Sequence, residues 1–225
     1  MAGESSAVSA NASTDRRMVA ALLADAGDTF ADDAGITLRD KPEPLFELLV
    51  LTLLVSARIS SSIAVAAARE LFAAGWRDAS RMADAPRRQV VAALGRAGYA
   101  RYDESTARAL AATATTVIDR YHGDLRELAA ESHYRRPDAE RLLQQFTGIG
   151  PVGAAIFLRE VQDTWTWVRP FFDAKGLAGA ARLGLPTDPA ALAALAPPEQ
   201  TANLAAALVR AGRDTALAER VEAQG

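Results

Sequence analysis

Cysteine is absent from this 225-residue chain. Disulfides, thiolate zinc sites, iron–sulfur clusters and cysteine nucleophiles are therefore excluded together. Histidine is scarce: His122 and His133 are the only two, too few for an all-protein transition-metal site, and no metal ligand set is assigned. Lysine is reduced to Lys41 and Lys175, so arginine carries nearly all the positive charge. That charge is not in excess. Twenty-five basic residues against 28 acidic ones give a formal charge of -3. The chain thus lacks the overall basic footprint of a nucleic-acid-binding domain, and any such surface has to be a local basic face. Long apolar runs are missing too. The longest, LFELLVLTLLVSA (45–57), carries Glu47 inside it. It is too short to span a bilayer and suits a buried core helix. The opening MAGESSAVSANASTD has neither a basic n-region nor an apolar h-region, so no signal peptide is expected. These absences read as a cytoplasmic, monomeric protein with no membrane partner.

Period-two alternation is also lacking. TWTWV (164–168) is the one strand-like piece, and five residues make no sheet. What is present is helical periodicity, interrupted by breakers, and the fold class is all-α. Residues 1–14 are small and polar and read as a disordered tail. Met18, Leu22 and Leu23 begin a helical spacing from about Asp15. RDKPEP (39–44) is a proline-rich break, followed by a helix over 45–56 that is apolar nearly all round and hence central. Ser60–Ser62 offer N-caps for a helix ending near Gly75, and Pro86 opens another closed by Gly95 or Gly98. A long amphipathic helix stops at Gly123, and PDAERLLQQF runs to Phe146. Beyond TWTWVRPFF, Asp173 begins a helix ending near Gly184, and two alanine-rich helices complete the chain.

The densest punctuation is FTGIGPVGAAIF (146–157). Gly148 can adopt the left-handed conformation that closes a helix. Gly150 has no Cβ and lets another molecule's backbone approach. Pro151 fits the first position of a new helix, and Ile149 can point inward to lock the two helices together. The turn presents bare amides at a helix N-terminus, which can bind a phosphate oxygen without any lysine. A Gly-x-Gly between helices can equally be a tight connection and nothing more.

LLQQFTGIGPVGAA resembles the helix–hairpin–helix of the endonuclease III superfamily of DNA glycosylases. LFELLVLTLLVSARISSSIAVAAARELF (45–72) resembles the family's early helix pair, and VRPFFDAKGLAGAARLGLP (168–186) the segment after the hairpin, where an aspartate opens a helix. ALGRAGYARYDESTARAL resembles its intermediate hairpin. The likeness runs in order from about residue 39 to 213.

The resemblance implies two helical lobes with a DNA-binding cleft between them. One is a six-helix barrel-like domain with the hairpin (39–165); the other is formed by 15–38 plus 166–225. It implies double-stranded DNA as partner and base-excision repair as role, with a nucleoid association if the source is bacterial. A damaged or mispaired base is flipped out and removed. The hairpin, Gly148, Ile149, Gly150 and Val152, grips a phosphate, often through a monovalent cation; no other cofactor is expected. Asp173 holds the position of the catalytic aspartate, which stabilises an oxocarbenium-like sugar and orients water. Asp173 also reads as a helix N-cap, and the two roles are compatible. Arg182 falls on the family's R-L-G, and Arg58 replaces a glutamine that fills the gap left by the flipped base.

The departures narrow the chemistry. Bifunctional members carry a Schiff-base lysine where this chain has Val152. The resemblance therefore implies a monofunctional glycosylase, without hairpin-lysine lyase activity. Lys175, two residues past Asp173, is either a displaced amine or a phosphate contact. Asp103 and Glu104 stand where a basic residue is common. Trp165 and Trp167 are candidate pocket walls. A non-catalytic helix–hairpin–helix DNA-binding protein is the alternative reading.

Overall fold

The computed structural model describes the backbone of residues 2–224 and the side chains of 12–224. Among these residues there is no strand: the chain is all-α. The helices are α1 (Ala2–Ala26), α2 (Phe30–Ala34), α3 (Pro42–Val55), α4 (Ser61–Ala73), α5 (Ala79–Ala83), α6 (Arg87–Arg96), α7 (Asp103–Tyr121), α8 (Arg126–Glu131), α9 (Arg136–Leu143), α10 (Pro151–Val161), α11 (Ala174–Arg182), α12 (Pro189–Ala193), α13 (Thr201–Ala211) and α14 (Thr215–Glu222). The tail expected to be disordered over 1–14 is instead helical from Ala2, forming the first half of α1. TWTWV forms a 3-10 turn over Thr166–Val168. No helix among the described residues is long and apolar enough to cross a membrane.

The chain divides into two compact units, Phe30–Val168 and Met1–Thr29 with Arg169–Gly225. Residues 30–38 and 166–168, which the resemblance places in the terminal unit, fall in the central one. There α2 packs on α3 and α4, and a buried carboxylate meets its first turn. Glu160 on α10 accepts a hydrogen bond from the Ala31 amide at 3.1 Å and pairs with Arg159 at 3.2 Å. Arg159 in turn lies over the Phe30 ring at 5.4 Å. Both ionic side chains are fully buried, and burial raises the Glu160 pKa while Arg159 draws it back.

The central unit is built around α3, every residue of which from Leu45 to Leu54 is buried. It packs against α2, α4, α7 and α10. The terminal unit has its own core, with Val19 and Leu22 of α1 meeting Phe172, Leu183, Leu204, Leu208 and Val221. Here α11 presses onto α13 through small residues: a Cβ on Gly179 would stand 2.0 Å from the Leu208 carbonyl oxygen.

Gly179→Ala is therefore expected to destabilise by about 3 kcal/mol, because the obstacle is backbone and cannot swing aside. At this chain size that lowers the melting temperature by about 10 °C. Gly95→Ala, in exposed α6 with open space at its Cβ, should instead stabilise by about 0.5–1 kcal/mol. Thermal melts of the two variants check both signs.

Candidate functional site

The turn between α9 and α10 is held from inside and open outside. α9 ends at Leu143, three residues before Phe146; Gln145 and Phe146 donate instead to the carbonyls three residues back. Gly148 takes φ +88, and a Cβ there would touch Leu53 of α3 at 3.6 Å and Ala109 of α7 at 3.7 Å. Ile149 is buried, and its amide donates to the Phe146 carbonyl at 3.1 Å. Buried Thr113 donates its hydroxyl to the Thr147 carbonyl at 3.4 Å, which fixes the turn to α7. Sequence reasoning missed Thr113, since nothing local marks a partner 34 residues away.

The outer face is different. Gly150 is the N-cap of α10, supplies no side-chain cap, and has open space where a Cβ would be. Among the described residues, the amides of Gly150 and Val152 form no hydrogen bond. Pro151 at N1 has no amide to offer. Val152 is 57% exposed, an unusual place for a valine. Donors at the positive end of an 11-residue helix are the chemistry of an anion site. Arg58 is exposed in the loop after α3, two residues past Ser56, whose Oγ would stand 2.6 Å from a Cβ on Gly153. Thus Gly148, Ile149, Gly150, Val152 and Arg58 all lie about the C-terminal end of α3.

Asp173, Lys175 and Arg182 belong to the terminal unit. Asp173 is the N-cap of α11, and its Oδ1 accepts from the Gly176 amide at 2.8 Å. Lys175 is exposed, and Arg182 in the last turn of α11 reaches the Gly212 carbonyl at 3.5 Å. Asp103 and Glu104 sit in the first turn of α7, where acids favour the helix, and Glu104 pairs with Arg87. Trp165 is not a free pocket wall. It is buried, donates Nε1–H to Asp40 at 3.0 Å, and stacks on half-buried Trp167 at 5.4 Å. Among the described residues no group of three His, Asp or Glu side chains could hold a metal.

A second cluster lies at the other end of α3. Glu47 is 2% exposed and touches the Arg77 guanidinium at 2.6 Å. Burial pushes its pKa up from 4.5 to about 7, against the pull of Arg77. The sequence marked Glu47 as an acid inside an apolar run, but not its partner.

No family model matches the chain, and no curated protein matches it.

Asp173→Ala should cost about 1 kcal/mol through the lost cap, while Asp173→Asn, which keeps an oxygen acceptor, should melt near wild type. Glu47 gives a pH signature. Its pKa is raised on folding, so the stability it contributes is full below pH 4.5 and is lost as pH rises through about 7. At roughly 1.4 kcal/mol per unit the loss approaches about 3 kcal/mol. Denaturant titrations at pH 5 and pH 8 should show it in the wild type and not in Glu47→Gln.

Proposed function

We propose that the chain is a DNA repair glycosylase of the endonuclease III, helix–hairpin–helix type, which removes a damaged or mispaired base from duplex DNA by monofunctional hydrolysis. The observation that carries this reading is the turn at 148–152. It pairs a left-handed glycine and a buried isoleucine with amides that make no hydrogen bond among the described residues. Main-chain donors grip a phosphate without side-chain cations, so a net charge of -3 is no obstacle. A monovalent cation can share that site, bridging turn and phosphate.

The nucleotide is flipped out of the stack, and Arg58 fills the gap it leaves, stacking on bases while its guanidinium pairs with phosphate. As the glycosidic bond lengthens, positive charge grows on the sugar. The Asp173 carboxylate stabilises that charge and orients the water that attacks the anomeric carbon. Val152 offers no amine, so the product is an intact abasic strand. Lys175 and Arg182 then act as phosphate contacts flanking Asp173.

The test is a panel of duplexes carrying uracil, hypoxanthine, oxidised guanine, alkylated purines, thymine glycol or adenine opposite oxidised guanine, developed with hot alkali. Abasic product from one of them is expected, reduced at least about 100-fold in Asp173→Asn. Borohydride should trap no adduct; a trapped adduct lost in Lys175→Ala would make that lysine a nucleophile. Salt-dependent binding without base removal on any duplex would leave the non-catalytic DNA-binding reading in its place. Binding indifferent to salt would remove both.

A further inference from the structure

A cavity of about 520 Å³ opens at the N-terminal end of α3, lined by Gly35, Thr37, Arg39, Lys41, Glu43, Glu47 and Arg77 together with Pro42 and Pro44. All belong to the central unit. α3 has 14 residues, so this end stands about 20 Å from the end that carries the glycine turn. The cavity is therefore separate from the nucleic-acid site proposed above, and its ligand chemistry is independent of that site.

Its charges are unevenly used. Arg77 is shared between two acids: Nε donates to Glu43 at 3.2 Å and lies 2.6 Å from Glu47 Oε1. Glu47 Oε1 is buried and accepts no aligned hydrogen bond. Arg39 and Lys41, both exposed, enter no ion pair among the described residues. Lys41 is one of only two lysines in the chain. Helix amides contribute little, because Pro42 and Pro44 have no N–H and the Leu45 amide is bound to the Lys41 carbonyl at 3.2 Å. The recognition chemistry is that of side chains. With Glu47 neutral, three cations face one carboxylate, Glu43.

We propose that this cavity binds the dianionic phosphoryl group of a small soluble molecule. Arg39, Lys41 and Arg77 would supply the charge, and the protonated Glu47 carboxyl would donate a hydrogen bond to one oxygen. A bare phosphoryl group leaves room for the moiety it is attached to. Binding takes up a proton, because an ionised Glu47 repels the ligand and a neutral one donates to it. The charged groups facing Glu47 are Arg77 and Glu43, with Arg39 and Lys41 on the cavity wall. Arg159 and Glu160 on the packed helix α10 pair with each other, and Glu160 also accepts from the Ala31 amide. Since burial places the Glu47 transition at about pH 7, the dependence falls in the physiological range.

Sulfate is the probe, because its own charge is constant across that range. Titration of the full chain, followed by amide NMR at Gly35, Thr37 and Glu43, should give saturable shifts. Affinity should be about tenfold higher at pH 6 than at pH 8, the change in the protonated fraction of a group titrating at about 7. Arg39→Ala with Lys41→Ala, both exposed and remote from the core, should weaken sulfate at least about tenfold with an unchanged melt. Glu47→Gln should keep binding and lose the pH dependence. Adenosine 5′-monophosphate should compete with sulfate, whereas a short DNA duplex should not. No saturable shift, undiminished binding in the double variant, a pH dependence that survives Glu47→Gln, or displacement by duplex in preference to the mononucleotide would each overturn the proposal.

Discussion

A helix that is apolar on every face has to be covered on every face, and α3 imposes that constraint on the central unit. Leu45 to Leu54 are buried without interruption. Burying side chains of this kind contributes about 1.5–3 kcal/mol each. No amphipathic arrangement could retain that gain, so α2, α4, α7 and α10 gather round it. Both ends of α3 then become special. At its C-terminal end, Leu53 and Ser56 receive Gly148 and Gly153, which fixes the glycine turn. At its N-terminal end the same burial draws in Glu47 and makes Arg77 its partner. One packing requirement underlies both the turn with unbonded amides and the charged cavity.

Much of this was legible in the chain. Continuous hydrophobicity over 45–57, broken only by Glu47, marks a central helix. Ser60 caps α4 through a hydrogen bond to the Ile63 amide, and Asp173 caps α11, as their residue types lead one to expect. Gly148, Ile149 and Pro151 take the backbone and burial that their chemistry favours. The boundaries were less visible. RDKPEP reads as a break, yet α3 starts at Pro42, because proline is tolerated throughout the first turn, where amides have no helical acceptor. α2, α5 and α8 are too short to display a period. TWTWV has the alternation of a strand but no partner to satisfy its backbone, and it closes into a 3-10 turn. Long-range pairs were invisible for a simpler reason. Glu160 meets the Ala31 amide 129 residues away, within the central unit that also holds residues 30–38.

The buried acids differ in what compensates them. Glu160 has an amide, an adjacent guanidinium and no solvent, so its ionic interactions are internal and structural. Glu47 has a guanidinium that is itself divided with Glu43 and lies at the edge of open space. A buried charge is tolerated in proportion to the quality of its partners. The incompletely compensated one is the group whose protonation can respond to a ligand.

Glycine recurs where a helix that begins at a candidate site must be fixed. α10 starts from Gly150, and three residues later Gly153 lies against Ser56 of α3. α11 starts from Asp173; Gly176 supplies the amide that Asp173 caps, and Gly179 meets the Leu208 carbonyl of α13. At Gly179 the missing Cβ allows backbone-level approach, whereas at Gly153 it gives room to the Ser56 and Ile149 side chains, in both helices within the first two turns. Side chains at that depth can repack; the backbone against Gly179 cannot. A helix start held in this way keeps its amides or its capping carboxylate in one place, which is what recognition by fixed main-chain donors demands.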